Sequence, residues 1–299
     1  MGSFPPNPSR GPSNEQGSDS RGPRPEPEIL SPVQGYAPSP RPVQRRRALW
    51  ASAPATYALV GINCLVFLAM VVHRVSITNP TAQQLMAWGA NNAGSVLESG
   101  QWWRVVTATF VHGGIIHLAT NMWCLWNLGL LAEPLIGWVG VASAYILTGV
   151  AGNLLSILYN WYHFSDARGS AGLGFPPGVG ASGAVFGIAG VLIILLKSKR
   201  LPVPASELAR LRKSVIYFAA INLIIGFSFN VGTRILGAGL LIDNMAHLGG
   251  FTCGLLFAMP LVPRPGSTKS LFETRLRLAV GLVAGLLSLF SFFLAQWPG

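Results

Sequence analysis

Charge is scarce in this sequence. Of 299 residues only 10% are Asp, Glu, Lys or Arg, where soluble domains carry about 25%. That little charge cannot clothe a water-soluble globule of this size. With 51% hydrophobic residues and a mean hydropathy of +0.46, a disordered chain is excluded as well. Cysteine is scarcer still. Cys64, Cys124 and Cys253 all lie inside apolar runs, and three thiols without metal-ligand spacing give neither a disulfide framework nor a metal site. No HExxH stretch occurs, so a zinc peptidase is not expected, and no metal or other cofactor is called for. Acidic residues are half as many as basic ones, which leaves a net charge of +11. Nucleic acid is not expected as a partner, because the basic residues sit in short clusters between apolar runs, as in membrane loops.

What remains is a polytopic membrane protein. Residues 1–48 are rich in Pro, Gly, Ser and Arg and read as a disordered arm. Glu15, Asp19, Glu26 and Glu28 argue against a transit peptide, and no cleavable signal is expected near the start. Seven apolar runs follow, near 56–73, 114–131, 137–158, 182–197, 214–230, 239–260 and 276–296. Each is long enough to cross about 30 Å of hydrocarbon. If all seven span, every Lys and Arg falls on one side except Arg74, Arg104, Arg168 and Arg234. The basic side is the cytoplasmic one. The N-terminus is therefore expected inside and the C-terminus outside.

Strongly polar side chains inside spans are costly and point to function. His117 and Asn121 open the second run, Ser182 opens the fourth, and His247 lies about a third of the way into the sixth. All three runs cross from outside to inside, so these four residues share a depth near the outer face. A serine hydroxyl needs a base within hydrogen-bond reach to act as a nucleophile, and neutral histidine supplies one. His117 and Asn121 are four apart, share a helical face and can point donors at an oxyanion. The Ser182 N–H, at a helix start, can add another. Gly180 and Gly183 leave room around the serine, while Gly250 and Gly254 follow His247 on its own face and allow close helix packing.

These residues resemble the rhomboid intramembrane serine proteases. Trp103-Arg104, then His112, His117 and Asn121, then Gly180-Ala181-Ser182-Gly183, then Ala246-His247-Leu248-Gly249-Gly250 with Gly254 occur in the family's order, and Glu133 matches a family glutamate. The resemblance covers roughly residues 55–260 and is greatest to bacterial members. It implies an all-α, polytopic bundle with a six-helix core over 49–262 and a cytoplasmic linker plus seventh helix over 263–299. It implies a Ser182–His247 dyad, an oxyanion hole of His117, Asn121 and the Ser182 N–H, and Phe186 packed beneath the His247 ring. It also implies a contact between Glu133 and Arg104 in a re-entrant loop. Substrates would be transmembrane segments of other membrane proteins, within the lipid bilayer.

Other positions admit plainer readings. His112 either lines an aqueous cavity or faces water at the helix end. Asn244 either contacts substrate or orients its loop, and Asp243 is a helix-start cap. The 230–240 stretch is a candidate cap over the site. The rival to an enzyme is a catalytically silent relative that binds membrane clients with the same fold. A bacterial plasma membrane is the expected host, with a eukaryotic secretory membrane as the alternative.

Overall fold

The computed structural model describes residues 53–164, 175–198, 201, 204–236, 242–263, 266 and 268–296, of which 164 and 225–236 are described by backbone alone. The expected arm, 1–48, lies outside the described residues. Among the described residues every regular element is a helix. Their sole extended pairing is one antiparallel bridge between Asn91 and Gly178.

Helix α1, Pro54–Val72, starts with proline at its first position, where no N–H is needed. Three short helices follow: α2, Ala82–Ala87, closed by a Thr81/Gln84 capping box; α3, Ala93–Leu97, capped by Asn92; and α4, Arg104–Thr107. Helix α5, Ile115–Phe164, is one run by hydrogen bonding but breaks at Gly137 (φ 73°, ψ 170°). Pro134 withholds an N–H just upstream, and only glycine takes that φ without strain. The chain reverses there. Ser156 on the second arm bonds Asp243, whose carboxylate is near Gly178. Gly180, two residues on, abuts His117 at the start of the first arm.

Helices α6, Ser182–Leu195, and α8, Asn244–Ala258, form the centre. Helix α7, Ala205–Leu236, lies between them in sequence, and α9, Lys269–Ala295, closes the chain. By length and composition α1, α5 and α9 can cross a membrane. Exposed leucines along them (Leu65 and Leu68 on α1; Leu278, Leu282, Leu286 and Leu289 on α9) suit a lipid surface.

The expected runs each meet a helix, with corrections to their ends. Helix α6 has 14 residues and α8 has 15, short of a full crossing. Helix α6 is nearly all buried, and non-helical backbone at membrane depth is tolerated where protein surrounds it. His247 is accordingly in the first turn of α8, which starts where the Asp243 carboxylate accepts the Ala246 N–H at 2.9 Å. Helix α7 starts earlier than expected, directly after Pro204, and its first turns hold an exposed Glu207–Arg210 pair. It also continues to Leu236, so 230–236 is helix. The single Gly232 costs only about 1 kcal/mol there. The remainder of the expected cap, 237–240, lies outside the described residues.

Glu133 and Arg104 do not meet. Glu133 accepts the Ala55 and Thr56 N–H groups at 2.8 Å and the Thr56 hydroxyl at 2.6 Å, so it caps the start of α1. Arg104 donates to the Met86 and Ala90 carbonyls at 2.8 and 3.0 Å and to Gln101 Oε1 at 2.6 Å, with its guanidinium 4.5 Å over the Trp103 ring. The reason is axial distance: Glu133 is sixteen residues beyond His117, about 24 Å along a helix. A buried carboxylate there needs local donors, and the free N–H groups of α1 supply them. Glu133→Gln replaces one acceptor by a donor facing those N–H groups. Thermal unfolding in detergent should show a loss of about 1–3 kcal/mol. An unchanged Tm would contradict the capping role.

Candidate active site

The site starts from how closely α6 and α8 approach. A Cβ on Gly250 would fall on the Gly183 carbonyl oxygen, and one on Gly254 on that of Gly187. A Cβ on Gly183 would lie 3.2 Å from the Ala246 carbonyl. Backbone therefore meets backbone over about two turns, which small residues permit and larger ones forbid. The residue after Ser182 is thereby set against the residue before His247.

Phe186, one turn beyond Ser182, stacks on the His247 ring with centroids 4.3 Å apart and planes 10° from parallel. His247 is buried, and its Nδ1 has no hydrogen-bond partner. Ser182 is half-buried at the first position of α6. Among the described residues no hydrogen bond joins its hydroxyl to His247. The apposed helices and the stacked ring, not that bond, are what bring the two positions together.

Gly180 carries the loop into α6 with φ +116°. A Cβ at Gly180 would sit 2.7 Å from His117 Cε1, 2.8 Å from His117 Nε2 and 3.7 Å from Asn121 Nδ2. The imidazole and the carboxamide thus both face the backbone two residues before Ser182. His117 Nδ1 accepts the Gly113 N–H at 3.3 Å. In a neutral ring the proton is then on Nε2, the nitrogen turned toward Gly180. Asn121 spends one amide hydrogen on the His117 carbonyl at 2.9 Å and keeps the other. His112 packs edge-on against His117, centroids 5.3 Å apart, and is held through Nδ1 by the Phe110 carbonyl at 3.2 Å. Its Nε2 is buried and unpartnered, as is Asn244 Oδ1 one turn before His247. Buried unpartnered polar atoms are rare and concentrate where chemistry is done.

The surrounding frame is polar and extensively hydrogen-bonded, with Asn91 Oδ1 its one buried unpartnered side-chain atom among the described residues. Asp243 Oδ2 takes a short hydrogen bond from the Ser156 hydroxyl, which pins the start of α8 to the second arm of α5. Gly180 N–H bonds the Ala108 carbonyl at 2.9 Å, and Asn91 and Gly178 exchange backbone bonds of 2.7 and 2.8 Å. Asn91 reaches the Asn153 carbonyl, and Asn153 reaches that of Val105. Sequence reasoning read Asp243 only as a cap and missed Ser156, Asn91 and Asn153. Polar residues at those positions were the available signal, but nothing in spacing names their partners. Trp103, Arg104 and Glu133 brace the fold at some remove from Ser182. Among the described residues no group of three or more His, Cys, Asp and Glu is placed to hold a metal ion.

A family model for the Rhomboid domain matches residues 99–264. The chain is 31% identical over 230 residues to "Rhomboid protease GluP" of Bacillus subtilis (strain 168), covering 77% of this chain and 38% of that protein. It is 32% identical over 189 residues to "RHOMBOID-like protein 1" of Arabidopsis thaliana, covering 63% and 42%. It is 30% identical over 243 residues to "Rhomboid protease AarA" of Providencia stuartii, covering 79% and 83%. The chain thus spans about two fifths of the first two relatives and most of the third. With the matched domain covering more than half of its length, this membrane-embedded helical chain belongs to the rhomboid family.

Proposed function

We propose that this chain is an intramembrane serine endopeptidase that cuts transmembrane segments of other membrane proteins. Ser182 Oγ attacks the scissile carbonyl carbon, and its proton passes to His247. The carbonyl π pair moves onto oxygen, and the oxyanion accepts hydrogen bonds from His117 Nε2–H, the free Asn121 amide hydrogen and the Ser182 N–H. Collapse breaks the C–N bond, and the imidazolium returns its proton to the leaving amine. Water, deprotonated by the same imidazole, then releases the acyl group and restores the serine. Such donors fixed in place are worth roughly 10²–10³ in rate each. Gly180 and Gly183 give the substrate backbone room beside the serine.

The observation that carries this reading is the Phe186–His247 stack over the glycine-lined approach of α6 and α8. It holds an unpartnered imidazole against the helix that begins with Ser182. We further assign 49–262 as the protease core, 1–48 as a cytoplasmic arm and 263–299 as a linker with a seventh span. The proposed host is a bacterial plasma membrane. The basic clusters support an inside N-terminus, and cleavage is then near the outer face.

A fluorophosphonate probe tests the nucleophile. Labelling of detergent-solubilised wild type should map to the Ser182 peptide, and Ser182→Ala should take up none. A folded wild type that stays unlabelled favours the silent client-binding reading.

A further inference from the structure

At the other end of the bundle from Ser182, α5, α6, α8 and α9 do not close on one another. Leu135, near the end of the first arm of α5, Leu195 at the end of α6, and Leu261 after α8 line a cavity of about 300 Å³ with Phe272 of α9. Leu201, Pro263 and, at the α9 entry, Thr268, Lys269 and Arg275 complete the lining, and no acidic side chain does. This is the size at which small-molecule sites begin.

The two kinds of lining are separate. Arg275 is buried; it donates from Nη1 to the Val262 and Pro260 carbonyls at 3.0 and 3.4 Å and from Nε to the Leu271 carbonyl at 3.4 Å, which ties α9 to the turn after α8. Its charge stays in the wall whatever carbonyls it serves. Lys269 is in the open, its side chain 92% exposed, with Glu273 no nearer than 4.0 Å. Such an exposed pair is worth little. Thr268 caps α9 by accepting the Leu271 N–H at 3.2 Å, so the first turn presents its N–H groups beside that lysine. Apolar walls with one guanidinium set into them, a lysine and a helix start at the mouth, and a location where three spans end describe one ligand chemistry. A soluble anion would find no use for the leucines, and a neutral lipid none for the cations.

We propose that this crevice binds one anionic glycerophospholipid, with an acyl chain against Leu195, Leu261 and Phe272 and its phosphate at Lys269 and Arg275. Basic pockets between transmembrane helices take such headgroups, at about fivefold in affinity per nearby Lys or Arg. The bound lipid would fasten α9 to the six-helix core. The site is independent of the protease reading.

Native mass spectrometry of the full chain in detergent, titrated with phosphatidylglycerol and phosphatidylcholine of identical acyl chains, tests it. Wild type should retain one phosphatidylglycerol with at least a fivefold preference. Lys269→Gln should weaken phosphatidylglycerol about fivefold and leave phosphatidylcholine unchanged. Leu201→Trp, which adds bulk to the cavity wall, should weaken both. Glycerol 1-phosphate should not displace the lipid. Equal retention of the two lipids by wild type overturns the proposal. So does a Lys269→Gln protein that matches wild type, or displacement by glycerol 1-phosphate, which marks a surface anion site. Lys269 is exposed enough that its substitution leaves folding intact, so the result stands even if Leu201→Trp fails to fold.

Discussion

Gly254→Val should leave little folded protein. A Cβ at Gly254 would already fall on the Gly187 carbonyl oxygen, and valine adds two methyl groups beyond it. Neither side can yield. The obstructing atom is helix backbone, and Gly187 is itself wedged against the Thr148 side chain on α5. Helices α6 and α8 would have to separate along their length, and the stack of Phe186 on His247 would go with them. Overpacking of this kind belongs with substitutions costing about 4 kcal/mol or more, a large share of a total near 5–15 kcal/mol. Expression yield, gel-filtration profile in detergent and thermal unfolding would report it. Gly281→Val and Gly285→Val on α9 are the controls. Nothing lies within 4 Å of a Cβ at either position, so both should stay within about 0.5 kcal/mol of wild type. A Gly254→Val protein that elutes and melts like its parent would contradict the close approach on which the site is built.

The second large effect is chemical. His247→Gln keeps much of the volume over Phe186 but cannot cycle a proton at neutral pH. Cleavage of a transmembrane reporter should fall roughly 10²–10⁴-fold, the usual worth of a general acid–base group. Thermal unfolding should move far less, because the packing over Phe186 is largely retained. Loss of activity without loss of fold separates this residue from the brace residues. Glu133→Gln should show the opposite pattern, lower stability with the outer site intact. If His247→Gln cleaves at the wild-type rate, His247 is not the base.

The helical membrane bundle was legible because hydrocarbon thickness sets a length, and runs of that length are easy to find. The polar positions at His117, Asn121, Ser182 and His247 were legible because lipid penalises them wherever they lack a reason. The ends of α6 and α8 were not. A run such as 239–260 reads as one apolar stretch, and only the Asp243 cap, bonded to Ser156 on another arm, fixes where the helix starts. The partner of Glu133 was misread for a related reason. The contact with Arg104 rested on the family resemblance alone, while axial position along α5 puts Glu133 at the far face, beside Ala55 and Thr56. Long-range partners such as Asn63 with Tyr145, at 2.9 Å, depend on which faces meet, and no periodicity reports that. Gly232 shows the converse: a residue that reads as a breaker in water is carried inside an extended apolar helix.

The most direct measurement is cleavage of a transmembrane reporter in liposomes by the purified chain and by Ser182→Ala at equal reconstitution. Wild type should release the product and Ser182→Ala should stay at the protein-free background. Equal product from both would show that the serine at the start of α6 is not the nucleophile.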